Sequence, residues 1–456
     1  MASIVNLAET ALLARQQLPP EFGPEAVRPS YDGLGLANAT ALATHWLAPD
    51  APALHGQPAL PHFQPELLNQ PEVTAAWQNW QGQGEIRQVV LLLIDALGYD
   101  QLRVMMEDGT APALAAATNA GQAFFMPATT VYPSTTTTAL TSAATAYAPA
   151  QHGIMGTYVY FREIGTVVNV IGYQPSLAPT RTPYLDYQFD PDSLVPVPNI
   201  YRRLEETGIT VEIVNNYLFK GSSISRFTSA GSIAGKKYYN GYITAADGFA
   251  QLRGRLLAHA EANEKSFTYM YLSTVDSTAH QYGPLTPSNR AEVSALDYSL
   301  QKEILEPLAG RKDIALLLVA DHGQRMSDPL KAAWLNDYPE LANMLAVPQT
   351  GEARAGWLHL KHNTEMAAID YINRTLGEEF LAVPQAEAVA LGLFGLPGQP
   401  LGPECADRTG DLLLVPKKDW LVRQQLTREP RVPYFKGCHG GLSRAEMLIP
   451  FLAYRL

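Results

Sequence analysis

The chain has 456 residues, 46% hydrophobic and 17% charged, and its 33 Lys and Arg against 44 Asp and Glu give a formal net charge of −11. That length buries a large core, as two or three domains or as one elaborated domain. The acidic balance argues against a protein that coats nucleic acid or anionic membranes, and no apolar run approaches the roughly 18 residues that cross a bilayer.

The first 22 residues, MASIVNLAETALLARQQLPPEF, lack a basic start followed by an apolar block and make a poor signal peptide. Residues 1–80 are rich in Pro and Ala, with Trp46, Trp77 and Trp80, and are expected to form an N-terminal helical and irregular wrapping segment. QVVLLLIDALGYD (88–100) is a continuous apolar run capped by Asp95, the pattern of a fully buried parallel strand that ends in a loop. Residues 111–125 look helical. The stretch YPSTTTTAL (132–140) places four threonines after Pro133 and Ser134, and the small-residue run to Ala146 continues as a helix. Residues 157–172 alternate around a central Gly, as a β-hairpin does.

A helix is expected over 199–208, a strand over 211–216, a Gly/Ser/Tyr-rich loop over 221–245 and an amphipathic helix over 246–262. FTYMYLSTVD (267–276) is a second buried strand leading to Asp276, residues 288–307 a helix, and DIALLLVADHG (313–323) a third buried strand ending in Asp321-His322-Gly323. Residues 330–400 are irregular in pattern and are taken as an insertion or cap. A strand over 410–417, a loop with Cys438-His439-Gly440-Gly441, a short helix and a final strand complete the chain. The two cysteines, Cys405 and Cys438, are read as free thiols of a reducing cytoplasm. The implied architecture is α/β, with a catalytic core over 81–329 and 401–456.

Several buried strands thus end in acidic or Asp-His loops, and open parallel sheets bind ligands at the carboxyl ends of their strands. Asp95, Asp276, Asp321, His280, His322 and His439 are three carboxylates and three imidazoles, enough for two zinc-like sites. Each alone is a weak signal. Their number at strand ends in one chain is the informative feature. His45, His55, His62, His259, His359 and His362 are given no metal role.

These segments, LLLIDALGYD, YPSTTTTALTSAATAYAPAQHGIMG, VDSTAHQYGP, VADHG and HGG, resemble the alkaline phosphatase superfamily, nearest to its nucleotide pyrophosphatase/phosphodiesterase branch. The ending HGGLSRAEMLIP also resembles PglZ-type domains of that superfamily. The resemblance covers roughly 88–172, 267–323 and 405–456. It implies a central, mostly parallel sheet flanked by helices, and hydrolysis of a small-molecule phosphate ester or nucleotide. It implies Thr136 as nucleophile, with Thr135 as the fallback. It implies one divalent metal on Asp95, Thr136, Asp321 and His322, and another on Asp276, His280 and His439, zinc or manganese. The chemistry is consistent: a divalent metal lowers the pKa of a bound oxygen, from about 15.7 to about 7 for water on zinc.

The chain departs from the branch at Ala139, where an Asn commonly helps to hold a phosphoryl oxygen. Arg162, Lys220, Lys236 and Tyr282 are substitutes by sequence neighbourhood only. The departure leaves open a phosphomonoesterase, phosphonate hydrolase or phosphomutase on the same scaffold. A sulfatase is disfavoured, because YPSTTTTAL lacks the C/S-x-P-x-R motif that sulfatases need. A non-enzymatic nucleotide- or partner-binding module is disfavoured because every ligand position is filled.

Overall fold

The computed structural model describes residues 2–49, 59–177, 189–328, 330–426, 431 and 435–456. A seven-stranded sheet forms its centre, in the order Ala123–Thr129, Leu448–Arg455, Ile314–Val319, Gln88–Ile94, Ser266–Leu272, Thr210–Asn216, Tyr239–Tyr242. Leu448–Arg455 runs antiparallel to both neighbours, and every other neighbouring pair is parallel. The three expected apolar runs lie side by side in the middle and are buried along their whole length, as strands covered on both faces must be. Their register aligns the carboxyl ends: Ile94 is level with Leu272, and Leu93 with Val319. Asp95, Ser273 and Asp321 therefore leave the sheet at one edge.

Two elements differ from expectation at this sheet. The helix expected over 111–125 stops early, at Pro112–Asn119, and Ala123–Thr129 is a strand. Its aromatic run pairs over seven residues with the C-terminal strand, and that long-range pairing outweighs a weak local helical pattern. Asp276 does not end a strand. The strand stops at Leu272, and Asp276 lies in the first turn of the helix Thr274–Tyr282.

A second, antiparallel sheet joins Phe380–Pro384, Leu412–Pro416, Ala355–Leu358, Thr350–Glu352, Tyr158–Phe161, Thr166–Asn169 and Gln174–Pro175. The expected hairpin over 157–172 is present within it. The 330–400 stretch, expected to be irregular, supplies three of its strands and the helices Pro339–Met344, Glu365–Thr375 and Gln385–Ala390. These elements are short and lack the long apolar run that marks a central strand. They enclose their own core around Leu358, Ile372 and Leu414. The 221–245 stretch likewise holds two short helices, each N-capped by a serine side chain, Ser222 and Ser232.

The N-terminal residues pack onto the outer strands of the main sheet. Phe63 stacks on Phe451 at 3.8 Å, and Trp77 lies against both Phe451 and Phe124. No helix among the described residues is long and apolar enough to cross a membrane.

Candidate metal centre

All seven residues singled out from the sequence meet at the carboxyl edge of the central strands. Thr136 opens the helix Thr136–Thr145, and its Oγ1 lies 3.2 Å from His322 Nε2. The same Nε2 lies 3.5 Å from Asp95 Oδ1 and 3.5 Å from Asp321 Oδ2. Asp276 and His280, one helical turn apart, face each other at 3.3 Å, and His439 Nε2 is 3.3 Å from His280 Nε2 and 3.9 Å from Asp276 Oδ1. The His322 and His439 rings stack at 3.8 Å. Two groups converge closely enough to share an ion, Asp95 with Asp321 and His322, and Asp276 with His322 and His439.

The hydrogen bonds around these groups set their orientation. His280, His322 and His439 direct Nδ1 to the carbonyls of Gly437 (2.8 Å), Gly323 (3.1 Å) and Ser134 (3.0 Å). A ring that donates through Nδ1 presents a lone pair at Nε2. The Nε2 atoms of His280 and His439 therefore face each other with no proton between them. Asp321 Oδ1 accepts from the amides of Ala96 and His322, both at 2.9 Å. Tyr271 donates its hydroxyl to Asp95 Oδ2, and Gln324 its amide to Asp276 Oδ1. The other oxygens of the first pair, Asp95 Oδ1 and Asp321 Oδ2, are buried without a hydrogen-bond partner.

Such a set is costly unless positive charge joins it. Burial, then repulsion from Asp321 and Asp276, holds the Asp95 carboxyl well above the usual carboxylate range. Burial and Asp321 push Asp276 up to about 8, and burial pushes Asp321 up to about 6. Burial holds the His322 imidazole down at about 3, and burial with the neighbouring imidazoles His322 and His280 holds His439 well below the usual imidazole value. Orphaned carboxylate oxygens beside imidazole lone pairs are the donor set of a divalent N/O-ligated metal, so these residues fit one.

The four threonines divide their tasks. Thr135 occupies the N-cap position but makes no side-chain cap bond, contrary to a capping role. Its hydroxyl donates to Glu352 Oε1 at 3.0 Å, and the Thr157 amide donates to the same oxygen at 2.7 Å. Thr137 and Thr138 pack inside the fold, both buried. Gly440, next to His439, has φ +117°, a value that disfavours residues with a Cβ.

Of the substitutes named for the missing Asn, Arg162 pairs with Asp407 at 3.3 Å on the surface. Lys220 and Lys236 line a separate cavity of about 130 Å³, and Tyr282 is half exposed. Of the histidines set aside, His55 lies outside the described residues. His152 is buried beside Ser142, in keeping with a structural role. The sequence reading missed Tyr271, which bonds Asp95, Glu352, which bonds Thr135, and the Arg354–Glu446 pair, whose carboxylate accepts from the Gly441 amide.

The model of the type I phosphodiesterase/nucleotide pyrophosphatase family matches residues 89–442. The chain belongs to that family. It is a phosphoester hydrolase, and the match runs through 330–400, which the resemblance left uncovered. Among curated proteins none matches by sequence. Solved structures share the fold. Murine ectonucleotide pyrophosphatase/phosphodiesterase 5, in an inactive form complexed with AMP, is 14% identical with a TM-score of 0.56, over 81% of this chain and 88% of that one. Phosphonoacetate hydrolase from Sinorhizobium meliloti 1021, complexed with phosphonoacetate, is 17% identical with a TM-score of 0.59, over 80% of this chain and 89% of that one.

Proposed function

We propose that the chain is a two-metal phosphodiesterase or nucleotide pyrophosphatase whose nucleophile is Thr136. The observation that carries this reading is the position of Thr136 Oγ1, 3.2 Å from His322 Nε2, the nitrogen that itself lies 3.5 Å from each of the two orphaned carboxylate oxygens. The Thr135 hydroxyl, turned to Glu352, is committed elsewhere. Asp95, Thr136, Asp321 and His322 would hold one divalent cation, zinc or manganese, and Asp276, His280 and His439 the other. Bound there, the cations would lower the pKa of a coordinated oxygen and offset charge on the attacking and leaving oxygens.

The chain's own residues supply the rest. Thr136 Oγ1 loses its proton to solvent and bonds to phosphorus as the bond from phosphorus to the leaving-group oxygen breaks, and that oxygen takes up a proton from solvent. This gives a phosphothreonine that retains the second ester group when the substrate is a diester. Water then cleaves the new bond and frees Thr136. The first intrahelical bond is Ala139 N to Thr135 O at 2.9 Å, so the amides of Thr136 to Thr138 precede it, where a helix start receives phosphoryl oxygens. These amides take over part of the task of the side-chain amide absent at Ala139. The small-molecule phosphate ester or nucleotide is thus held by backbone more than by side chains.

Rapid acid quench of turnover on bis(p-nitrophenyl) phosphate, followed by peptide mass spectrometry, should find the phosphoryl adduct on Thr136. An adduct on Thr135, or turnover that survives exhaustive chelation, would contradict the reading. Phosphomonoesters and phosphonates in the same panel separate the neighbouring activities of the scaffold.

A further inference from the structure

The two stacked imidazoles come from loops far apart in the chain, and one residue touches both loops. The Glu446 carbonyl accepts from the Gly323 amide at 2.9 Å, next to His322. The Glu446 carboxylate accepts from the Gly441 amide at 2.8 Å, two residues from His439. The fit is close: a Cβ at Gly323 would meet the Ala445 carbonyl at 2.1 Å, so the 322–323 loop can lie against 445–446 only because Gly323 has no side chain.

The carboxylate is itself held. Arg354 donates through Nε at 2.9 Å and Nη2 at 2.8 Å to its two oxygens, and the Ser443 hydroxyl donates at 2.5 Å. Arg354 Nη1 is anchored in turn on the carbonyls of Lys418 and Trp420, each at 2.8 Å. Glu446 is fully buried and Arg354 is 2% exposed. A buried ion pair is an expensive route to stability, because desolvation offsets much of its attraction. A two-pronged guanidinium–carboxylate contact does, however, fix the orientation of both partners.

We propose that Glu446, oriented by Arg354, is a positioning residue that fixes His439 against His322 and so sets the affinity of the cation position formed by Asp276, His280 and His439. The inference rests on the two-cation reading above. It gives the second sheet a part in the site, because Arg354 lies in the turn between Thr350–Glu352 and Ala355–Leu358.

The test is calorimetric titration of the metal-free protein with zinc, for wild type and Glu446→Asp, which keeps the charge and withdraws the carboxylate by one methylene. Circular dichroism and thermal unfolding check the fold. Loss of a partner that orients metal ligands costs about 10–100-fold in affinity. One of two binding steps should weaken by that factor, the other should hold, and excess zinc should restore turnover. Two steps of wild-type affinity in a folded Glu446→Asp protein would overturn the inference alone, as would equal weakening of both. Should that variant not fold, the double variant Arg354→Met/Glu446→Leu removes both charges and leaves neither unpaired. The same loss of one step is expected of it, and two intact steps would overturn the inference. Wild-type protein that takes up no zinc in either step would instead overturn the two-cation reading and this inference with it.

Discussion

The Glu352 carboxylate and the Thr135 hydroxyl are 217 residues apart in sequence and hydrogen-bonded at 3.0 Å. The bond ties the second sheet to the residue before Thr136. Glu352→Ala removes this acceptor and leaves the Thr157 amide, now 2.7 Å from the carboxylate, without a partner. Stranding this part-buried donor costs less than the roughly 1–3 kcal/mol of a fully buried one, and a small misplacement of a reacting group costs up to about a hundredfold in rate. The variant should unfold at lower temperature and lose kcat while KM changes little, whereas Glu352→Gln, which still offers an oxygen, should keep most of both. Steady-state kinetics beside thermal melts decides it. A wild-type kcat in Glu352→Ala would remove Glu352 from the account.

Tyr271 donates its hydroxyl to Asp95 Oδ2 from the neighbouring strand. Tyr271→Phe keeps the ring and deletes this bond. Metal affinity at the position built on Asp95 should fall about 10–100-fold, and the melting temperature of the metal-loaded protein should fall with it. Competition against a chelator of known affinity measures the loss, and unaltered affinity would show that Asp95 needs no such support.

His259 gives a pH dependence separate from the site. Its Nε2 lies 2.9 Å from Glu212 Oε1 and its Nδ1 3.0 Å from Glu264 Oε2. The Glu212 hydrogen bond, with Glu264 adding to it, raises its pKa above the usual 6.5. The protonated ring is therefore favoured in the folded chain. Its contribution is full below the ordinary imidazole value and is lost as pH rises through the raised one. Wild type should lose melting temperature on going from mildly acidic to mildly alkaline buffer more steeply than His259→Gln, and parallel pH profiles would refute the assignment.

Trp77 is buried against Trp80, Phe124 and Phe451, none of them a site residue. Trp77→Ala should cost about 3–5 kcal/mol of stability with kcat preserved below the melting transition. Denaturant melts and kinetics on the same preparation check both halves. Loss of kcat without loss of stability would mean that the N-terminal segment acts on the site directly.

What the sequence disclosed follows from range. Two of the three buried strands announce themselves by unbroken apolar runs, 89–94 and 314–319, and the third by a run over 267–272 broken only at Thr268, and the acidic and His residues after them stand out because polar groups at strand ends need a reason. Short elements such as Thr350–Glu352 and Ser223–Thr228 carry too few residues for periodicity to register. Ala123–Thr129 is a strand because of a partner more than 300 residues away. Glu352 and Arg354 were illegible for a related reason, since their partners Thr135 and Glu446 lie 217 and 92 residues away. Nothing local distinguishes a carboxylate that will meet Thr135 from one bound for solvent.

The most direct measurement is metal content of the purified protein, paired with phosphodiester hydrolysis by wild type and Thr136→Ala. The account predicts two divalent metals per chain in wild type, hydrolysis that disappears on chelation and returns with zinc or manganese, and no turnover in Thr136→Ala despite bound metal. Turnover at the wild-type rate in Thr136→Ala, or hydrolysis by protein free of metal, would contradict it.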